Sequence, residues 1–537
     1  MRFARLVATL LTVVFVFLAL APPAVQADVD FSGLSRTTEK AVQATVDLVD
    51  ESCDAPDARV RRLFRRADRQ IRQALEVYGY YAPTVDKSLT RDSDCWRARF
   101  EIDRGPRVHL RKVSIGVTGP GSADRELTQF IDKESLSAGD GLNQNAYDRL
   151  KASLAGLAQR RGYFDGRFVA SRIDVYPGQL AADISLDYAS GERYRFGPIT
   201  LDQDVVDPEL AMRFVEFKPG DPYDGDKVNE LYVDLLAGGY FQNVELNTTQ
   251  RPAPDLDVPL TIMLTPAPPR TWTTGVGYAT DSGAKFRLGF LNQRLNRKGH
   301  QFEFDSNIAE VLGDITASYR LPQGSPRDEW LSFDIGYKYD TPEDSRSEEY
   351  RVGIKQTKRR RAEWRETRFI DYRRENYRIG DTRNHSDLVI PGIGWAKQPR
   401  LLTSRPRRGH RLSLTVSGTD EVLGSDTAFL QLESSGKIIL PLWATARLLL
   451  RVDAGWTIKD DFEALPYSVR YFAGGDTSVR GYQYKSLGPT DDDGNVIGGA
   501  DKLVGSVEID QKVFGNWSVA TAFIDVGNAF NSSNHCP

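Results

Sequence analysis

Two hydrophobic rhythms divide the chain near residue 270. Before it, apolar residues recur at three- and four-residue steps. Between Arg61 and Val77 they are Leu63, Phe64, Ala67, Ile71, Ala74, Leu75 and Val77, which predicts a helix with one buried face. That helix should end at Tyr78-Gly79-Tyr80-Tyr81, because glycine takes the left-handed backbone that closes a helix. The ending recurs: Ala146 to Arg161 stops at Gly162-Tyr163-Phe164, and Lys227 to Leu236 stops at Gly238-Gly239-Tyr240-Phe241. Gly139-Asp140 and Gly220-Asp221 precede these two helices. Strand-like residues follow each, Arg167 to Val175 then Ala181 to Tyr188, and Asn243 to Thr249 then Val258 to Leu264. A period of about 80 residues predicts three copies of a unit ordered strand, two helices, two strands.

Beyond the Pro-rich stretches Arg251 to Asp257 and Thr265 to Arg270, the rhythm changes to period two and no amphipathic helix is evident. Phe286, Leu288 and Phe290 alternate with Lys285, Arg287 and Gly289, and Phe333, Ile335, Tyr337 and Tyr339 with Asp334, Gly336 and Lys338. Leu448, Leu450, Val452, Ala454 and Trp456 continue the pattern. A soluble antiparallel sandwich alternates in the same way, with its apolar face inward. Strands of about 10 residues in long succession, with aromatics near their ends (Trp272, Trp330, Trp395, Trp443, Trp456), fit a transmembrane β-barrel better. Arg447 and Arg451 would then face a polar lumen. About thirteen strands fit between Thr271 and Gly527, an odd number where single-chain bacterial barrels have an even one.

Composition narrows the classes. The 70 basic and 74 acidic side chains leave a net charge of −4, which disfavours nucleic acid as a partner. A mean hydropathy of −0.43 excludes a bundle of membrane helices but not a barrel, whose strands are apolar only at alternate positions. Residues 1–27 read as a secretory signal: Arg2 and Arg5, an apolar run from Leu6 to Ala21, then Val25-Gln26-Ala27 as the cleavage site. Export permits a disulfide between Cys53 and Cys95, two buried thiols being the alternative, and Cys536 has no evident partner.

The segment from Glu463 to Ala500 reads as a long loop at the outward end of a barrel, and loops of that length are usually functional or disordered. Within it lies Tyr471-Phe472-Ala473-Gly474-Gly475-Asp476-Thr477-Ser478-Val479-Arg480-Gly481-Tyr482. Gly474, Gly475 and Gly481 allow turns closed to other residues. Arg480, between Val479 and Tyr482, reads as an enclosed cation, which needs acceptors. Glu508, on a polar face with Ser506 and Asp510, and Asp525, among apolar neighbours in Phe523-Ile524-Asp525-Val526-Gly527, are the candidates; lining a wet lumen is the plainer role for Asp525. No catalytic residue, cofactor or metal site is expected. The five histidines (His109, His300, His385, His410, His535) are scattered, and Asp491-Asp492-Asp493-Gly494-Asn495 lacks the distal glutamate of a calcium loop. The arginine-rich stretch Arg359 to Arg378 is balanced by Glu363, Glu366, Asp371 and Glu375, which fits a lumenal or extracellular strand pair.

The three repeats, the barrel and Val479-Arg480-Gly481-Tyr482 together resemble the outer-membrane assembly-factor superfamily built from POTRA domains and a barrel. Gly474-Gly475-Asp476, Tyr484-Lys485-Ser486 and the repeat number resemble its TamA branch, the outer-membrane subunit of the translocation and assembly module, over Asp28 to Phe530. The resemblance implies α+β POTRA repeats at 28–105, 106–190 and 191–269 and an antiparallel barrel over 270–537. It implies that the loop folds back into the barrel, with Arg480 on Glu508 and Asp525. The first strand, Thr271 to Thr280, with Gly275 and Gly277 weakening its pairing, would form a lateral gate. The implied function is insertion or translocation of autotransporter-type and other barrel clients, in an outer membrane whose lipids contact the barrel. The POTRA domains would lie in the periplasm and receive a large inner-membrane-anchored subunit, TamB in the resembled family. A two-partner-type secretion pore and an envelope lipid-transport role are the alternatives. The family barrel has sixteen strands and a C-terminal aromatic, whereas Asn531 to Pro537 is polar. The frame therefore reads as C-terminally truncated or frameshifted, which sequencing past codon 530 would check.

Overall fold

The computed structural model describes residues 28–531 apart from 92–94, 135, 253, 280–282, 361–363, 381, 398–404 and 515–516. The expected signal segment and Cys536 lie outside the described residues. Three small sheets come first. β1 (Asp28–Ser32), α1 (Arg36–Thr45), α2 (Asp57–Glu76), β2 (Thr84–Arg91) and β3 (Trp96–Asp103) form the first repeat, with strand order β1-β3-β2. The second is β4 (His109–Thr118), α3 (Arg125–Glu134), α4 (Gln144–Arg160), β5 (Arg167–Tyr176) and β6 (Ala181–Ala189), ordered β4-β6-β5. The third is β7 (Arg195–Asp202), α5 (Pro208–Met212), α6 (Gly225–Ala237), β8 (Phe241–Thr248) and β9 (Asp257–Pro266), ordered β7-β9-β8.

In each repeat the last strand is the central one. It runs parallel to the first strand and antiparallel to the second in the first two repeats. A parallel pair needs a long crossover, and the two helices supply it. The central strands alternate strictly: Trp96, Ala98, Phe100 and Ile102 are buried on β3, and Ala182, Ile184, Leu186 and Tyr188 on β6. Val60, Leu63, Ala67, Ile71 and Leu75 of α2 close over the first sheet, the face that its three- and four-residue spacing predicts. Gly79, Gly162 and Gly239 all have positive φ, so each helix-ending glycine carries a turn that other residues adopt at a cost.

The second repeat buries one carboxylate. Asp124 accepts the Glu126 N–H at 3.0 Å, and lies 3.2 Å from the Arg161 guanidinium and 3.5 Å from that of Arg193. Burial works against its charge, but the Glu126 N–H and the two guanidiniums outweigh it, holding the carboxyl below its ordinary 3.8. A folded pKa below the unfolded one stabilises the repeat fully above the unfolded value, and that stability is lost as pH falls through the folded value. Asp124→Asn should lower the repeat's unfolding temperature at neutral pH, with the two proteins converging in strong acid. Calorimetry across that range checks it, and a constant gap would refute it.

Among the described residues from Arg270 onward, one antiparallel sheet of 13 strands runs in chain order. Its first strands are β10 (Arg270–Ala279), β11 (Gly283–Asn292), β12 (Gln301–Ala309), β13 (Leu312–Pro322), β14 (Trp330–Asp340) and β15 (Ser345–Arg359). They are followed by β16 (Trp364–Ile379), β17 (Thr382–Lys397), β18 (Gly409–Thr419) and β19 (Phe429–Pro441). The last are β20 (Ala446–Lys459), β21 (Asp501–Phe514) and β22 (Trp517–Phe530). The middle strands reach 15 or 16 residues, longer than the alternation alone predicts.

Here the sense of the alternation is reversed. Ile335 is 58% exposed while its neighbour Asp334 is 7% exposed. Val352, Ile370, Val452, Val507, Ile524 and Val526 are exposed, whereas Asp371, Glu375, Ser506 and Asp510 are buried. A sheet that turns apolar side chains out and charges in is built for lipid outside and a polar lumen inside, and this settles barrel against sandwich. No helix among the described residues is long and apolar enough to cross a membrane.

The third repeat marks one rim. Tyr240 donates to the Gly299 carbonyl at 2.7 Å, Arg213 to that of Gln323 at 3.1 Å, and buried Asp234 pairs with Arg327. Gly299, Gln323 and Arg327 all lie on turns between strands at the same end of the sheet. Strand alternation then places 460–500, between β20 and β21, at the opposite rim.

Candidate functional site

The loop after β20 is ordered by nested backbone pairs. Tyr471 bridges Gly499, Ala473 bridges Leu487 and Thr490 bridges Val496. Arg470 clamps its base, donating to the carbonyls of Leu465, Ile497, Phe462 and Glu463. The tip between Ala473 and Leu487 turns at Gly474, Gly475 and Gly481, all at positive φ. A Cβ on Gly474 would also collide with the Gln483 carbonyl. The tip packs Ala473, Val479 and Leu487 against Val504, on the inward face of β21. The segment that reads as an outward loop therefore turns back along the lumen wall.

That path delivers Arg480 to β21 and β22. Its Nε and Nη2 take the two oxygens of Asp525 at 2.7 and 2.9 Å, a bidentate pair, and its backbone N–H adds a third bond at 3.0 Å. Nη1 donates to Glu508 at 2.7 Å and Nη2 to the Ser506 hydroxyl at 3.2 Å. The guanidinium carbon lies 3.7 Å from the centre of the Phe523 ring, which supplies a cation–π face. Register explains the convergence. Ser506 stands opposite Asp525 and Glu508 opposite Phe523, so two adjacent cross-strand pairs form one receptor. The Asp525 side chain is only 2% exposed, so its charge depends on this arginine.

The other anticipated residues lie outside this receptor. Tyr482 is exposed, and its contribution is a backbone carbonyl accepting the Gly475 N–H at 3.1 Å. Gly275 and Gly277 sit on β10 opposite Arg287 and Lys285 of β11. β10 is exposed along nearly its whole length, and a groove of about 400 Å³ lined by Gly275, Val276, Gly277, Phe286 and Ile308 runs beside it. β10 and β22 are the two ends of the strand order, with no pairing between them among the described residues. Cys53 and Cys95 are joined as a disulfide in the first repeat. Spacing along the sequence missed the Phe523 face, although period two from Asp525 points to it. The described residues contain no cluster of histidine, cysteine or carboxylates fit for a metal.

Two family models match the chain: the Omp85 superfamily domain over residues 272–537, and the POTRA domain TamA domain 1 over residues 28–104. The chain belongs to the Omp85 superfamily. It is similar in fold to BamA from Haemophilus ducreyi lacking POTRA domains 1–3, with 17% identity and a TM-score of 0.55 over 79% of this chain and 87% of that one. CdiB from Acinetobacter baumannii aligns over 81% of this chain and 82% of its own at 13% identity and a TM-score of 0.45. Membership of the Omp85 superfamily gives the coarse role, protein insertion or translocation by an outer-membrane barrel with periplasmic POTRA domains.

Proposed function

We propose that this Omp85 protein is an assembly factor of the TamA type. It inserts or translocates autotransporter-type and other β-barrel clients through a lateral gate at β10, without covalent chemistry. Its first POTRA domain receives a large inner-membrane-anchored, TamB-like subunit. The observation that carries this reading is the match of residues 28–104 to the TamA-type first POTRA domain, on the same chain as an Omp85 barrel. The three repeats and the anchored arginine loop support it. Backbone groups at the edge of β10, unpaired among the described residues, can accept a client strand, as sheet edges accept peptides in β-augmentation.

Depletion tests the proposal. Several autotransporter-type clients should fall together in the outer membrane, and the full-length chain should co-purify with a large inner-membrane protein. Loss of one dedicated exoprotein alone would favour a secretion pore. Unchanged clients with an altered outer-membrane lipid composition would favour lipid movement.

A further inference from the structure

Five residues after Arg480, the loop carries a second cation enclosed against a different wall. Lys485 Nζ lies 2.6 Å from Asp340 Oδ2 and 2.9 Å from the Tyr467 hydroxyl. The rings of Tyr467, Phe472 and Tyr484 surround it at 4.3, 4.8 and 5.7 Å from their centres. Tyr484 adds a hydroxyl at 3.4 Å from the same Asp340 oxygen. The Asp340 side chain is 2% exposed, and Lys485 is the cation paired with it among the described residues. Lys485 is one of three described non-glycine residues with positive φ. Such a backbone persists where the surroundings over-determine it.

The two anchors belong to distant strands. Asp340 ends β14, the fifth strand of the sheet, whereas the Arg480 receptor is built on the twelfth and thirteenth. A five-residue link extends to at most about 17 Å, which makes it a short tie rather than slack chain. The β14 side holds more of the loop than Lys485. Asp344 accepts the Val496 N–H at 3.0 Å, and Glu375 on β16 accepts the Ser468 N–H at 3.1 Å.

We propose that Lys485 and Asp340 form a second, independent anchor, which makes the loop a two-point strap between the β14 wall and the β21–β22 wall. When the β21–β22 edge moves and Arg480 lets go, Lys485 keeps the loop seated on β14 and inside the lumen. Lys485 is thus a positioning residue for the loop, acting whichever client passes.

Hydrogen exchange of the full-length protein in detergent or nanodiscs tests this, read separately over residues 475–482 and 483–487. Arg480→Ala should speed exchange in the first segment by about tenfold or more while the second stays close to wild type. Lys485→Met keeps the aliphatic stem against the aromatic rings and removes the charge, and should give the reverse pattern. The swapped pair Lys485→Asp/Asp340→Lys should restore part of the protection of 483–487. Unchanged exchange of 483–487 in Lys485→Met, or equal release of both segments by Arg480→Ala, would overturn the proposal. If Lys485→Met does not fold, the uncharged pair Lys485→Met/Asp340→Asn replaces it, with the same two outcomes.

Discussion

Replacing Arg480 with alanine should unseat the loop tip and remove most of the protein's assembly activity. The loss is large because of what remains behind. Asp525 would keep a carboxylate that is 2% exposed with no cation beside it, and breaking a buried pair in this way costs about 3–5 kcal/mol. Occupancy of the Arg480 tip on its β21–β22 receptor would fall by about two to four orders of magnitude, while Lys485 holds the rest of the loop on β14. Asp525→Ala should come close, since it leaves Arg480 with only Glu508, Ser506 and the Phe523 face. Glu508→Ala should cost less, about 1 kcal/mol, because Glu508 is 24% exposed and water screens it. Arg480→Lys should not rescue, since a point charge cannot span both Asp525 oxygens. Complementation of a deletion strain, with protease protection of the loop in purified protein, ranks the variants. If Asp525→Ala and Glu508→Ala leave both readouts untouched, the pairing has no functional weight.

The residue types of this site were legible in the sequence, but its shape was not. Arg480 among glycines and apolar neighbours implied an enclosed cation, and Asp525 between Ile524 and Val526 was a candidate partner for it, with lining a wet lumen as its plainer role. That Phe523 lies under the guanidinium depends on the β21–β22 register, which local spacing does not fix. The ion pair of Lys485 with Asp340 joins residues 145 positions apart, and no period reaches that far. The POTRA repeats were readable because each helix pattern ends on a glycine of positive φ, a local signal. The barrel strands were readable as period two, with the charged face expected toward the lumen, and the exposure of Ile335 beside buried Asp334 agrees with that direction.

The first POTRA domain should depend on its disulfide more than on any single packing contact. Cys53 precedes α2 and Cys95 precedes β3, and the bond closes a loop with a sequence separation of 42. In the chain-entropy account, a loop of that size restricts the unfolded chain by about 4 kcal/mol. Small domains have a total stability of about 5–15 kcal/mol, so the bond carries a large share of it. The same junction holds the buried Trp96, whose indole N–H donates to the Ser52 carbonyl at 3.0 Å, so losing the bond also loosens a core aromatic. Cys53→Ser/Cys95→Ser, or reduction, should lower the melting of this domain by about 15–30 °C. No described residue of the barrel is a cysteine, so the barrel transition should stay in place. Calorimetry of the full-length protein with and without reductant separates the two transitions. If the proposed inner-membrane partner docks on this domain, its co-purification should fall with the first transition while the barrel remains folded. A first transition indifferent to reductant would mean that the α2 and β3 core holds the domain without the bond.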